Sequence, residues 1–174
     1  MLSHRPSRAC AGKDRGFTLI ELLIVIVIFG IAASLALPSF SQLLANYRVR
    51  TGAEAMLSGL FLARAEAIRR NSPVQFTLNA TGSGWAVAQV APATAIQTRP
   101  DSESPGVTTA STTASRVVTF LPNGLVDTSV VRLEQINVSS VIGNTDTRRV
   151  NIFGGGLIRM CDPAVAIAND PRRC

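Results

Sequence analysis

Hydrophobic and polar residues change rhythm three times along this chain. Met1–Gly16 is short, polar and basic. From Phe17 to Leu37 the chain is apolar for 21 residues, with Glu21 as the one ionisable group among them. At about 1.5 Å per residue, a helix of that length spans roughly 30 Å, the thickness of a bilayer's hydrocarbon core. Beyond it, Ala53, Met56, Leu57, Leu60, Ala63 and Ala67 recur at helical spacing and form one stripe, widened at its edge by Phe61 and Ile68. Ser58, Leu62 and Arg69 turn the other way, and Glu66 with Arg70 makes a favourable i,i+4 pair. Arg64 projects from the stripe's own face, so it must snorkel or find a partner.

One helix is therefore predicted from Phe17 to about Asn71, apolar first and amphipathic afterwards. Pro38 removes the hydrogen bond to the carbonyl of Ser34, so a kink is expected there. Asn71-Ser72-Pro73 ends the helix. Short strand-like runs follow at Val74–Leu78, Trp85–Val90, Arg116–Leu121, Val130–Val138, Arg148–Phe153 and Leu157–Cys161. Turn signals separate them at Thr81-Gly82-Ser83-Gly84, Pro122-Asn123-Gly124 and Gly154-Gly155-Gly156. Pro92–Ser115, rich in Ala, Thr, Ser and Pro, reads as a mobile surface loop without a core of its own. The expected fold class is α+β: a long N-terminal helix, membrane-spanning in its first half, packed by its second half on an antiparallel β-sheet.

Composition narrows the chemistry. The 174 residues leave room for one globular domain besides the apolar helix. Net charge is +6, and half of it sits in residues 1–16, where Arg5, Arg8, Lys13 and Arg15 face only Asp14. A basic leader before an apolar segment puts the N-terminus in the cytoplasm and the C-terminal domain across the membrane. The rival reading is a secretory signal peptide with Phe17–Phe29 as its core and cleavage near Ala32-Ala33-Ser34 or Ala36. Glu21 sits badly in such a core, and the apolar run is longer than one needs. His4 and Lys13 are the only histidine and lysine. Their absence beyond residue 16 removes histidine-based catalysis, Schiff-base chemistry and ordinary zinc sites. No catalytic residue, metal site or cofactor is expected. Glu21 itself is costly: a lone carboxylate on a membrane helix costs about 2.5–3.5 kcal/mol on insertion scales, so it marks function.

The segment Gly16-Phe17-Thr18-Leu19-Ile20-Glu21, followed by an apolar helix and Pro38, resembles the class III signal of type IV pilins and type II secretion pseudopilins. The resemblance implies that prepilin peptidase cuts after Gly16 and methylates the new amine of Phe17. Glu21 would then be the fifth residue of the processed chain. In that setting Glu21 answers the positive Phe17 amine of a neighbouring subunit inside the low-dielectric helix bundle, recovering part of the burial cost at assembly. The blander reading has Glu21 snorkelling alone to the headgroups. Leu62-Ala63-Arg64-Ala65-Glu66-Ala67-Ile68-Arg69-Arg70 with Pro73-Val74 resembles the helix end of the GspH/FimT branch. Gly84-Trp85-Ala86-Val87, Thr119-Phe120-Leu121-Pro122-Asn123-Gly124 and Arg159-Met160-Cys161-Asp162-Pro163 resemble its later strands and turns.

That branch contains minor pilins and H-type pseudopilins. It implies residues 1–16 as a cleaved leader, 17–37 as a transmembrane and assembly helix, and 38–174 as a periplasmic domain. It implies as partners other pilin or pseudopilin subunits, prepilin peptidase, an inner-membrane assembly platform and the lipid bilayer. A partner ATPase would supply energy, since the chain has no phosphate-binding loop. Beyond the inner membrane the compartment is oxidising, so Cys161 and Cys174 are expected to close a tail loop, two free thiols being the other reading. Cys10, in the leader, takes no part. Some FimT-like proteins bind DNA through a Gly-Arg-x-Arg motif. Here the stretch is Gly156-Leu157-Ile158-Arg159, so only Arg159 remains. Arg172 and Arg173, with Arg148 and Arg149 one strand away, could complete a phosphate-binding patch. No aromatic array for stacking bases accompanies them.

Overall fold

The computed structural model describes residues 16–174, so all but Gly16 of the leader expected at residues 1–16, Cys10 included, lies outside the described residues. The chain groups into two compact units, Met1–Ser39 and Phe40–Cys174.

In the first unit, helix α1 (Leu19–Arg70) begins. Thr18 caps it, its Oγ1 accepting the Glu21 N–H at 3.2 Å. The large apolar side chains from Phe17 to Leu37 are exposed, and by length and composition α1 is the one helix, among the described residues, long and apolar enough to cross a membrane. Ser34 donates its hydroxyl to the carbonyl of Ile31 at 2.8 Å, so this polar side chain is satisfied inside the apolar run. Pro38 lies within α1, which continues on both sides of it.

In the second unit the rest of α1 meets two four-stranded antiparallel sheets, where one sheet was expected. The first has the order β3-β2-β1-β5, built from β1 (Val74–Leu78), β2 (Trp85–Gln89), β3 (Thr94–Arg99) and β5 (Val117–Phe120). The second has the order β4-β6-β7-β8, built from β4 (Val107–Ser111), β6 (Gln135–Ser140), β7 (Arg148–Ile152) and β8 (Ile158–Cys161). A single core joins them. Val49, Ala53, Met56, Leu60, Ala63 and Ala67 of α1 are fully buried against Phe76, Val118 and Phe120 of one sheet and Val138 and Val150 of the other. The helical stripe is thus the core face that its spacing predicts. Leu62 departs from the expected pattern: it packs against the core while Phe61 is exposed.

The largest correction concerns Pro92–Ser115. It carries β3 and β4, one at the edge of each sheet, rather than a structureless loop. An edge strand is held by its backbone ladder and needs few buried side chains. Here Val107 is buried and Ile96 partly so, too little for hydrophobic alternation to show. Val130–Val138 is corrected in the other direction, since strand structure begins only at Gln135. Val130 and Val131 are exposed, while Leu133 enters the core and its N–H reaches the Val117 carbonyl at 2.7 Å.

Candidate functional site

Two places collect the residues singled out by sequence: the start of α1 and the C-terminal tail. At the start of α1, nothing among the described residues lies within 4 Å of where a Cβ on Gly16 would stand, so their packing does not require glycine there. Phe17 is exposed. Glu21 occupies the first helical turn with its side chain exposed. Among the described residues its carboxylate has no hydrogen-bond or ion-pair partner. A carboxylate in a helix's first turn gains about 0.3–1 kcal/mol from the macrodipole. That is well short of the roughly 2.5–3.5 kcal/mol such a group costs in a membrane helix. Support for its own helix therefore does not account for Glu21.

At the other end of the chain, Cys161 and Cys174 are bonded, with their Cα atoms 5.1 Å apart. The loop they close folds back on β8. The Asp162 N–H donates to the Arg172 carbonyl at 2.6 Å. Arg159 donates to the carbonyls of Pro171 at 2.6 Å and Arg173 at 3.2 Å. Arg50, Arg148, Met160, Cys161, Asp162, Pro171 and Arg172 line a cavity of about 330 Å³.

The five arginines proposed for phosphate binding divide here. Arg148 and Arg172 share the cavity. Arg149, on the opposite face of β7, donates instead to the Asn137 side chain at 2.7 Å. Arg148 pairs with Asp162 at 2.6 Å and Asp146 at 3.4 Å, and Arg172 pairs with Asp170 at 2.8 Å. The Arg172 guanidinium holds the Asp170 carboxyl down to about 2. Arg50, the third guanidinium of the cavity, pairs with Glu54 at 3.0 Å. Each cationic wall group thus has its own carboxylate. Arg159 and Arg173 stand beside this cluster without entering the cavity lining.

Two structural roles were only partly visible in the sequence. Arg64 finds its partner in the Gly124 carbonyl at 3.1 Å, which joins α1 to the Pro122-Asn123-Gly124 turn. Asp101, which no motif marked, accepts hydrogen bonds from the Gly84 backbone and the Asn79 side chain and pins the turn between β1 and β2. Among the described residues no group of His, Cys, Asp and Glu is arranged to hold a metal ion.

Residues 12–37 match the prokaryotic N-terminal methylation motif, a span that includes Gly16, Phe17 and Glu21. Residues 52–156, more than half the chain, match the family described as type II transport protein GspH. No curated protein matches the chain. Among solved structures, two crystal forms of the type IV minor pilin FimU from Pseudomonas aeruginosa share its fold. One has 18% identity, covering 64% of this chain and 87% of that one with a TM-score of 0.55. The other has 17% identity, covering 64% and 90% with a TM-score of 0.52. An exposed apolar helix behind a methylation motif, its second half packed on antiparallel sheets, and a family match over the packed part agree: the chain belongs to the GspH family of pilin-like proteins.

Proposed function

We propose that this chain is a minor pilin or pseudopilin subunit that enters a type II secretion pseudopilus or type IV pilus near its tip or initiation complex. It is made as an inner-membrane precursor with a cytoplasmic leader and a periplasmic C-terminal domain. Prepilin peptidase cleaves after Gly16 and methylates Phe17, and an inner-membrane platform receives the product. Pro38 leaves the Ser34 carbonyl without its helical donor and lets α1 bend as the subunit enters the fibre. The observation that carries this reading is the Glu21 carboxylate, without a partner among the described residues, at the head of an apolar, exposed helix. A second subunit's Phe17 amine answers it. Register comes from this ion pair, while apolar contacts between helices supply most of the association.

Replacing the carboxylate tests the idea directly. Glu21→Ala inserts into the membrane and loses its leader normally, yet its recovery in sheared fibres drops severalfold. Undiminished incorporation would remove the ion pair from the account. Gly16→Val serves as the processing control, since it retains a product heavier by the leader, visible on a gel.

A further inference from the structure

The cavity between α1 and the C-terminal tail lies wholly within the second unit, and the assembly reading makes no use of its chemistry. Arg148 of β7, 22% exposed, is its most enclosed cation. Arg50 of α1 and Arg172 of the tail, 67% and 73% exposed, stand nearer solvent. Met160 and Cys161 of β8 supply apolar wall. The hydrogen-bonding capacity of the lining side chains is lopsided. Asp162 is the one carboxylate in the lining, and both its oxygens are engaged. Oδ1 accepts the Ala164 N–H at 3.0 Å, and Oδ2 accepts from Arg148 at 2.6 Å. The Pro171 carbonyl is taken by Arg159. The guanidiniums, by contrast, keep donors in hand. Arg50 reaches Glu54 through Nε, Arg148 reaches its acceptors through Nη1 and Nη2, and Arg172 reaches Asp170 through Nε and Nη2. Among the described residues no acceptor meets Nη1 or Nη2 of Arg50, Nε of Arg148 or Nη1 of Arg172.

Unused N–H donors on three arginines call for a ligand that brings oxygen acceptors, and charge narrows the choice. The three lining cations are balanced by Glu54, Asp162 and Asp170. Beside the cavity, Arg159 and Arg173 add two positive charges and Asp146 removes one. A surplus of one positive charge suits a single carboxylate better than a doubly charged phosphate group. The partners that hold Asp162 and Asp170 in place leave them 18% and 13% exposed, whereas Glu54 is 48% exposed and can turn to water as a ligand enters. Size points the same way. At about 330 Å³ the cavity is at the small end of ligand pockets, about 300–1,000 Å³. That is room for one acidic side chain or a chain end, and a duplex does not enter it.

We propose that this cavity binds one carboxylate of another polypeptide, an acidic side chain or a free C-terminus, with N–H groups of Arg50, Arg148 and Arg172 donating to its oxygens. Binding needs no fibre, so its failure leaves the Glu21 account untouched. Methionine supplies the reporter. Of the three methionines, Met160 lines the cavity, Met56 is fully buried in the core and Met1 lies in the leader. The full chain, carbon-13 labelled on its methionine methyls and held in zwitterionic micelles, is titrated with three acetylated tripeptides. Ala-Glu-Ala amide carries a side-chain carboxylate, Ala-Gln-Ala amide carries none, and Ala-Ala-Ala with a free terminus carries the main-chain one. The expected result is a saturable shift of the Met160 methyl with a carboxylate peptide, its dissociation constant on the order of 1 mM. The glutamine peptide leaves Met160 in place, and Met56 stays unmoved throughout. The stronger of the two carboxylate peptides identifies the source. Arg50→Gln weakens binding severalfold, with an unchanged Met56 signal showing an intact core. Arg48→Gln removes the same charge from the opposite side of α1 and leaves binding as it was. Equal responses to the glutamate and glutamine peptides, equal losses in the two variants, or no Met160 shift at about 10 mM of either carboxylate peptide overturns the proposal. So does a tighter Met160 response to a short DNA duplex, which would make the cluster a polyanion surface.

Discussion

Gly59 looks like a defect in α1, because glycine in a helix interior gives up about 1 kcal/mol relative to alanine. The reason is Trp85. A Cβ on Gly59 would stand 2.8 Å from Cε2 and 2.9 Å from Cζ2 of its indole, and 3.0 Å from Phe76. Both rings are buried and cannot give way. Overpacking of this kind costs about 1–3 kcal/mol, which exceeds the propensity gain. Gly59→Ala should therefore lower stability by up to about 2 kcal/mol, measured by thermal or urea unfolding in micelles. An unchanged or raised midpoint would show that propensity wins. Gly156 follows the same logic through backbone, since a Cβ there would collide with the Gly124 carbonyl and φ is +76°. Its glycine run was legible as a turn. That it lies against a second turn, with the Arg64 Nε beside it, was not, because 32 residues separate Gly124 from Gly156.

The end of α1 shows how an element is finished. Glu66 pairs with Arg69 at 2.6 Å and with Arg70 at 2.6 Å. Both cations also suit the negative end of the helix dipole. The i,i+4 partner was readable from spacing, while Arg69, expected to turn the other way, reaches Glu66 as its i,i+3 neighbour on the same helix. Hydrogen bonds from Arg69 and then Arg70 lower the Glu66 carboxyl from 4.5 to about 2. Because the folded value is the lower one, this contribution is full above pH 4.5 and fades as acid brings the pH down toward about 2. Glu66→Gln should melt below the parent protein at neutral pH, and the gap should close over that interval. A gap that stays constant down to pH 2 would mean the ion pairs add nothing. The strands are a different case. β1 alternates cleanly because both neighbours pair with it and one face meets the core. β3 and β4 hide, since an edge ladder can be written in Thr, Ser and Ala.

For the molecule as a whole, the tail shows how distant residues combine. The Cys161–Cys174 bond closes a loop of twelve intervening residues, worth about 3 kcal/mol in the chain-entropy model. Cys174→Ser should lose about that much and expose the Asp162–Arg173 segment to proteolysis, leaving the sheets protected. Equal protease resistance in the variant would show that the ion pairs and backbone bonds alone hold the tail.

What the sequence determined by itself is everything carried by local periodicity and contiguous signals. These are the apolar run with its single carboxylate, the amphipathic continuation, the strands that alternate, and the Gly16-Phe17 junction. Each depends on neighbours within a helical turn or two along the chain, where side-chain direction follows from backbone geometry alone. Only the tertiary structure decided that there are two sheets, that polar edge strands complete them, and that Arg148 and Arg172 are each answered by a carboxylate. It also decided that the β6–β7 connection lies beside Asn46. Those outcomes rest on which segments meet in space, and the energies involved are backbone pairing and charge pairing, to which residues far apart in sequence contribute without leaving a pattern in either segment.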